Sequence, residues 1–185
     1  MIENKVYLIF GEEGSGKSTH AQLLAKETGL PYISSGKLVR LETEKQSSLG
    51  QKFVDSRTAY IDDEIFIPFI LNYLSKSAYS HGFVLEGFPR NLNQLSVLED
   101  FFKTKNLVLQ KAVYITLPQE IAIKRLLSRG RADDTPEKIK DRLNSFRQYQ
   151  KEIVEKLKQQ GKLVELENLD PIETVYARLR DSLGV

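Results

Sequence analysis

The apolar positions of this chain fall into short runs and longer periodic stretches that alternate from one end to the other. Short, bulky runs bounded by glycine, proline or polar residues predict strands; they lie at 6–10, 31–34, 83–86, 109–116 and 163–166. Stretches with apolar residues three and four positions apart predict helices. The first of these helices ends at 29, and the others span 36–41, 49–59, 62–74, 91–103, 118–129, 135–161 and 171–183. Strands that alternate with helices are typical of the α/β class, in which a mainly parallel sheet carries helices on both faces.

The first predicted strand leads into a glycine-rich loop. Residues 11–19 read Gly-Glu-Glu-Gly-Ser-Gly-Lys-Ser-Thr and fit the pattern GxxxxGK[ST] between a strand and a helix. In such a loop the glycines let successive backbone N–H groups face one anion, and the following helix offers its positive N-terminal end. Lys17 then reaches the β- and γ-phosphates of a nucleotide, and Ser18 can ligate Mg²⁺. We therefore predict a triphosphate-binding loop rather than a chance turn rich in glycine and serine.

A second candidate site follows the strand at 83–86. Glu86 ends that strand, and the next four residues are glycine, phenylalanine, proline and Arg90. Ligands of parallel α/β sheets bind beyond the carboxyl ends of the strands, so this segment should face the glycine-rich loop. The Glu86 carboxylate can hold a water bound to Mg²⁺, and Arg90 offers a two-pronged donor to a phosphate. The alternative is an acid that only caps a turn, beside an arginine in solvent.

Arginines crowd the end of the helix that is predicted to stop at Arg129. Arg125 lies one turn before Arg129 with no acid at matching spacing, and Arg131 follows at once. Such like charges cost a few tenths of a kcal/mol per pair, which the helix dipole offsets in part and a bound polyanion would offset fully. The short link 130–134 folds the next helix back, so Arg142 can join the same group. Taken singly each arginine fits a solvated face, but beside a phosphate loop the set favours a polyphosphate site.

Composition and charge limit the class of protein. The chain has 185 residues, enough for one domain with a proper core, and its 27 lysines and arginines against 25 acids leave a formal charge of +2. That balance is too even for binding nucleic acid by bulk attraction, and no apolar run suits a membrane span or a signal peptide. The chain has no cysteine, hence no disulfide and no thiolate metal site. We expect a cytoplasmic monomer that contacts neither nucleic acid nor a membrane.

Together these motifs resemble the nucleoside monophosphate kinases, and most closely the adenylate kinases among them. The resemblance covers nearly the whole chain, from 5 to 183. Residues 11–19 are similar to the family's ATP phosphate loop, and 86–90 with Gln94 are similar to its D-G-F-P-R…Q segment. The family's T-G-D-L-L-R acceptor motif and its arginine positions are matched by Ser35, Gly36, Leu38 and Arg40, and by Arg125, Arg129, Arg131 and Arg142. Four motifs in the family's order and spacing make the resemblance specific.

The resemblance implies the P-loop nucleoside monophosphate kinase fold, an α/β fold with a five-stranded parallel sheet and helices on both faces. Residues 1–185 would form a single nucleotide kinase domain. Within it, 34–61 would form a helical arm over the monophosphate, and 129–135 would form the lid over ATP. The lid would be of the short kind, because only 130–134 fill the place where some relatives insert a hairpin that holds zinc with cysteines. No zinc is expected here.

The resemblance further implies Mg²⁺-dependent, reversible phosphoryl transfer from ATP to AMP, giving two ADP, with a role for each matched residue. ATP would be bound by Gly14, Ser15, Gly16, Lys17, Ser18, Thr19 and Arg125. AMP would be bound by Ser35, Arg40, Ile61, Gly87, Arg90, Gln94, Arg131 and Arg142. The catalytic set would be Lys17, Arg90, Arg129, Arg131 and Arg142. Mg²⁺ would be held by Ser18 and, through water, by Glu86.

The choice of acceptor depends on few residues. The amide of Gln94 can read both the N6 donor and a ring acceptor of adenine, and Ser35 keeps the hydroxyl expected of AMP-selective members. AMP is therefore the favoured acceptor. Three alternatives remain open: a kinase of UMP or CMP, a P-loop kinase of another small substrate, and a nucleotide-binding descendant with weakened catalysis.

Three residues depart from the family's pattern near the expected metal. Lys37 replaces an aspartate, Glu86 replaces a shorter aspartate, and Glu13 stands where proline is common, next to Glu12. We expect Lys37 to lower turnover or to alter the metal dependence. Glu12 and Glu13 should lie close to the triphosphate unless their side chains point outward. Elsewhere, His20 is expected at the surface or in helix packing, and the charged stretch 138–162 on a solvated helix face.

Overall fold

Five strands form one parallel sheet at the centre of the protein. The computed structural model describes residues 4–55, 61–128 and 135–185, apart from the side chains of Asp55, Arg142 and Ser145. The strands are β1 (Lys5–Gly11), β2 (Tyr32–Ser34), β3 (Gly82–Glu86), β4 (Val108–Thr116) and β5 (Leu163–Glu167). Their order across the sheet is β2-β3-β1-β4-β5, and all neighbouring pairs are parallel. The predicted five-stranded parallel sheet is confirmed.

The described residues include eight α-helices and a 3₁₀ turn at Ser77–Tyr79. The helices are α1 (Lys17–Thr28), α2 (Ser35–Glu44), α3 (Ser48–Asp55), α4 (Asp63–Leu74), α5 (Leu92–Thr104), α6 (Gln119–Ser128), α7 (Pro136–Gln159) and α8 (Ile172–Leu183). Thr135 caps α7 as predicted, since its side chain accepts a hydrogen bond from the backbone N–H of Lys138. α2 runs three residues beyond its predicted end, and residues 56–59 of the helix predicted over 49–59 lie outside the described residues.

The core lies on both faces of the sheet, and the residues of β1 alternate between them. Val6, Leu8 and Phe10 pack against α4, α5 and α7, whereas Tyr7 and Ile9 pack against α1 and α8. Because both faces are covered, the central strand reads in the sequence as one continuous apolar run. The predicted placement of helices on both faces is confirmed. Within the described parts of the chain, none of the helices has the length and apolar character that crossing a membrane requires.

Candidate active site

A cleft of about 410 Å³ opens beyond the carboxyl ends of β1 and β3, where parallel α/β sheets bind ligands. Its walls come from the phosphate loop, the start of α2, the segment after β3 and the middle of α7. Ten of the residues predicted for the site line it: Gly14, Gly16, Lys17, Ser18, Thr19, Ser35, Arg40, Glu86, Gly87 and Arg90. The structure thus brings the two motifs, predicted from separate parts of the chain, to one place.

Other predicted residues lie beside the cleft or outside the description. Ser15 and Gln94 are buried, and Ile61 packs against the core at the entrance to α4. Arg129 and Arg131, with the rest of the predicted lid up to residue 134, lie outside the described residues, as does the side chain of Arg142. The predicted roles of these three arginines stay predictions.

The phosphate loop is fixed at both ends. Gly11 has φ +143°, and a Cβ there would meet the backbone oxygen of Ile115 at 2.1 Å, so the loop begins pressed against β4. At the other end Lys17 Nζ donates to the backbone oxygen of Glu12 at 2.7 Å. Burial lowers the pKa of Lys17 from its ordinary value, while the charges of Glu86 and Glu13 oppose that shift. The ammonium is therefore held against the loop, at the place where a nucleotide phosphate would compete for it.

Both carboxylate oxygens of Glu86 have a donor. Ser18 Oγ donates to Oε1 at 3.2 Å, and Tyr32 Oη donates to Oε2 at 2.9 Å. Burial, followed by the charge of Glu86, raises the pKa of Tyr32, so the phenol stays protonated and can donate. Tyr32 was not predicted for the site; it begins β2, the strand that pairs with β3, and reaches Glu86 through its side chain. The longer acid is thus anchored beside the phosphate loop.

The donor set at this point fits Mg²⁺. No group of three or more histidine, cysteine or acidic side chains that could hold a metal exists among the described residues. Mg²⁺ rarely needs one, because it keeps several waters and binds through one or two protein oxygens plus nucleotide phosphates. The hydroxyl of Ser18 and the carboxylate of Glu86 are such oxygens, and both line the cleft.

Arg90 is positioned by contacts along its backbone and side chain. Its N–H donates to Gln94 Oε1 at 2.8 Å, and its backbone oxygen accepts from Gln150 Nε2 at 3.1 Å. Its Nε donates to the backbone oxygen of Gly87 at 3.1 Å, which orients the guanidinium. Next to it, the Ser35 hydroxyl is buried without a hydrogen-bond partner in the described structure. Arg90 and Ser35 thus present donors to an anionic or polar ligand from neighbouring segments.

The amide of Gln94 is oriented by its surroundings. Its Nε2 donates to Asp63 Oδ1 at 2.6 Å, and Asn91 and Asn93 donate to the same carboxylate. An ionised carboxylate only accepts, so Asp63 determines which end of the Gln94 amide points toward it. Each end of the amide keeps one further hydrogen-bonding position. Asp63 was not predicted for the site, and neither were its bonds to three amides.

The far side of the phosphate loop is tied to β5 through Asn168. Its Nδ2 donates to the backbone oxygen of Ser15 at 2.7 Å, and its Oδ1 accepts from His20 Nε2 at 3.4 Å. Arg125 donates to the backbone oxygens of Gly14 and Asn168 at 3.4 and 3.3 Å. Arg125 therefore lies against the phosphate loop. His20 is fully buried and stacks on Tyr176, so of the two expectations for it helix packing holds and surface exposure does not.

We expect His20→Gln to make the protein less sensitive to acid. Burial lowers the pKa of His20 below its ordinary value of 6.5, so the unfolded state binds this proton more readily than the folded state. The free energy of unfolding should then fall as the pH falls below that value, until the folded-state pKa is passed. Thermal melts between about pH 7 and pH 5 should show a smaller drop in Tm for His20→Gln than for the wild type. The exposed His81 provides the control: His81→Gln should lose as much as the wild type, and an equal loss in all three proteins would contradict the prediction.

One residue of the charged stretch 138–162 departs from the expected solvated face. The side chain of Arg147 is 38% exposed, but its guanidinium pairs with both carboxylate oxygens of Glu12, which is 3% exposed. Glu12 therefore points into the protein rather than toward the cleft. Residues of α7 that pack inward accompany it, among them Gln150 and Ile153. A 135-residue separation hid this pair from the sequence.

Comparison with known proteins gives a consistent result. The model of the family described as adenylate kinase matches residues 9–162. Adenylate kinases of two Prochlorococcus marinus strains are similar: that of MIT 9211 is 37% identical over 96% of either chain, and that of NATL1A is 34% identical over 97% of this chain and 99% of its own. The adenylate kinase of Synechococcus sp. WH7803 is 32% identical over 96% of this chain and 97% of its own. With a family match over most of its length and relatives that it spans nearly end to end, the chain belongs to the adenylate kinase family.

Proposed function

We propose that this protein catalyses the reversible, Mg²⁺-dependent transfer of the γ-phosphoryl group of ATP to AMP, giving two ADP. The observation that carries the proposal is the single cleft in which Lys17 of the phosphate loop and Arg90 after β3 face the same space. The bond between the γ-phosphorus and the β,γ-bridging oxygen breaks, and a bond to an α-phosphate oxygen of AMP forms. The acceptor oxygen is already anionic, so this chemistry needs alignment and charge neutralisation rather than a general base.

The protein's own groups supply that alignment. Backbone N–H groups of the phosphate loop receive the β- and γ-phosphates, and Lys17 exchanges the Glu12 carbonyl for phosphate oxygens. Arg90, oriented by its bond to Gly87, and Arg40 receive the α-phosphate of AMP. The Gln94 amide reads the adenine of AMP with the hydrogen-bonding positions that Asp63 leaves available. Arg129, Arg131 and Arg142 neutralise charge that moves with the phosphorus.

Ser18 and Glu86 are the residues that would hold Mg²⁺, Ser18 by its hydroxyl and Glu86 through bound water. When bound with ATP, the ion would neutralise part of the charge of the phosphates. Tyr32 keeps the Glu86 carboxylate oriented for that water shell. The chain has no cysteine, so no thiolate site for zinc is available.

We infer that residues 34–61 act as the acceptor arm and 129–135 as a short lid. Close packing of α2 on α3 supports the arm as one unit: a Cβ on Gly50 would meet the backbone oxygen of Glu42 at 2.4 Å. Arm and lid would close over the two nucleotides and exclude water, which would otherwise accept the phosphoryl group. The monomeric state and the cytoplasmic location stay predictions from the sequence.

A coupled assay that detects ADP, with ATP, Mg²⁺ and each monophosphate in turn, tests the proposed function. We expect kcat/KM for AMP to exceed that for UMP, CMP and GMP by about a hundredfold, since a mismatched base leaves the remaining hydrogen-bonding positions of the buried Gln94 amide unpaired. Faster turnover of UMP or CMP would replace the proposal with a pyrimidine kinase. Tight binding of a bisubstrate dinucleotide without turnover of any monophosphate would indicate a nucleotide-binding descendant.

We expect Lys37→Asp to raise kcat severalfold or to lower the Mg²⁺ concentration for half-maximal rate. Lys37 is exposed in the first turn of α2, where a negative side chain is favoured by the helix dipole and would add an acid to the water shell of the metal. Steady-state rates over a Mg²⁺ series measure both quantities. Lys105→Asp, at an exposed lysine after α5, is the control and should change neither. No gain at any Mg²⁺ concentration would exclude this role for Lys37.

A further inference from the structure

Glu12, the second residue of the phosphate loop, is an acid in a loop that is to receive a polyanion. It is 3% exposed, so water screens its charge poorly. An ionised carboxylate buried there repels the triphosphate and is itself costly unless a cation is paired with it. The position of Glu12 therefore requires a cationic partner.

Arg147 provides that cation from the middle of α7. Its Nε donates to Glu12 Oε1 at 2.5 Å, and its Nη2 donates to Oε2 at 3.1 Å, so the pair is two-pronged. Its Nη1 donates to Gln119 Oε1 at 3.1 Å, which fixes the plane of the guanidinium. Hydrogen bonding to Glu12 raises the pKa of Arg147, so the guanidinium stays charged.

The helix that carries Arg147 is anchored at this point. One turn further along α7, the buried Gln150 donates from Nε2 to the backbone oxygen of Arg90 at 3.1 Å. Ile153 and Leu157 then enter the core with no exposure. Arg147 therefore reaches the loop from a fixed element, as a residue that positions another group must.

The pair bears on the loop through the backbone of Glu12. The backbone oxygen of Glu12 accepts from Lys17 Nζ at 2.7 Å and from the N–H of Ser15 at 3.2 Å. A shift of the Glu12 side chain would move this peptide, because one residue carries both groups. Arg147 therefore holds the side chain of Glu12, and the backbone oxygen of the same residue holds the ammonium of Lys17, which is to bind the nucleotide.

We propose that Arg147 is a positioning residue for ATP, which neutralises the Glu12 carboxylate and holds the phosphate loop in the shape that receives the triphosphate. The inference rests on the proposed function only in taking ATP as the ligand of the loop. It assigns Arg147 no contact with either nucleotide.

Calorimetric titration of the full chain with Mg²⁺-ATP, in the absence of AMP, tests this role. Arg147→Met should weaken ATP binding about tenfold or more, because it leaves an unpaired carboxylate beside the phosphates. Glu12→Gln/Arg147→Met should bind ATP within about threefold of the wild type, since the carboxylate is removed as well. In both variants KM for AMP should change less than about twofold. Lys156→Met is the matched control. Lys156 lies on α7, as Arg147 does, and its 2.7 Å pair with Glu99 of α5 does not line the cleft, so this variant should bind ATP as the wild type does.

The proposal is overturned if Arg147→Met binds ATP as tightly as the wild type, or if the double variant binds no better than the single one. Should Arg147→Met not fold, Glu12→Gln is compared with the double variant. Equal ATP affinity then supports action through Glu12, and binding about fivefold weaker in the double variant overturns it. Because AMP is absent from the titration, a wild type that binds ATP but phosphorylates no monophosphate contradicts the proposed function alone.

Discussion

Replacing Lys17 with methionine is expected to lower kcat for ADP formation by about a thousandfold, a larger effect than any other single change considered for this protein. Methionine keeps much of the length of the lysine side chain and removes its charge. In the described structure the Lys17 ammonium lies 2.7 Å from the backbone oxygen of Glu12, inside the loop that binds the β- and γ-phosphates. Negative charge moves toward the leaving β-phosphate during transfer, so the loss should be greater in the transition state than in bound ATP.

Comparison of kcat with ATP affinity separates the loss of transition-state stabilisation from the loss of ATP binding. Stopped-flow or coupled assays give kcat, and titration with Mg²⁺-ATP gives the dissociation constant, which should rise by about tenfold only. Lys124→Met, at an exposed lysine on α6 that does not line the cleft, controls for removal of a positive charge and should behave as the wild type. If the Lys17→Met enzyme keeps a tenth of the wild-type kcat, the prediction is wrong, and the backbone of the phosphate loop rather than the Lys17 charge stabilises the transition state.

Much of the fold could be predicted because its signals are local. β1 and β3 are apolar runs buried on both faces, and α7 carries a cap at Thr135 with proline at its first position. The order of the strands was not predicted, since pairing depends on contacts between distant segments. The end of α2 was also missed, because residues 42–44 are polar and extend a helix whose apolar face has already ended.

In the candidate site too, residues that belong to a local motif could be predicted, whereas residues that act through a distant partner could not. Lys17, Glu86 and Arg90 belong to contiguous motifs, so their residue types and spacing predict a common cleft, and the structure places them there. Tyr32 and Arg147 act through acids that lie 54 and 135 positions away, and no periodicity in the sequence signals such pairs. Their partners did carry a signal, because an acid in an anion-binding loop or at a metal requires a compensating donor.

Two buried acids of the candidate site are thus paired with donors from within this chain. Glu86 is longer than the usual aspartate, and Ser18 and Tyr32 hold its two oxygens. Glu12 lies in the phosphate loop, and Arg147 pairs with it. Both acids are buried, and donors from elements distant in sequence compensate their charge, which keeps the cleft suited to polyanions. Lys37 is exposed, and nothing in the structure explains its substitution for aspartate.

Arg90→Lys is expected to lower kcat/KM for AMP by about a hundredfold while leaving KM for ATP within about threefold of the wild type. Lysine keeps the positive charge but loses the planar fork that can donate two parallel hydrogen bonds to one phosphate. The fork is oriented here by its Nε bond to Gly87, and its backbone is held by Gln94 and Gln150. A lysine has no counterpart to the Gly87 bond, so its ammonium would not be fixed against the acceptor phosphate.

Arg178→Lys is the control and tests whether an arginine-to-lysine change alone affects the rate. Arg178 lies on α8, pairs with Asp170 and does not line the cleft. Its kcat/KM should equal that of the wild type, and Tm should show that both variants are folded. If charge alone were needed for the acceptor phosphate, Arg90→Lys would also keep its rate. A loss of about a hundredfold corresponds to about 2.7 kcal/mol of transition-state stabilisation, the size expected for charge-assisted hydrogen bonds to a phosphate rather than for one charge in solvent. The comparison therefore decides between alignment by a fixed fork and simple neutralisation as the part that Arg90 plays in phosphoryl transfer.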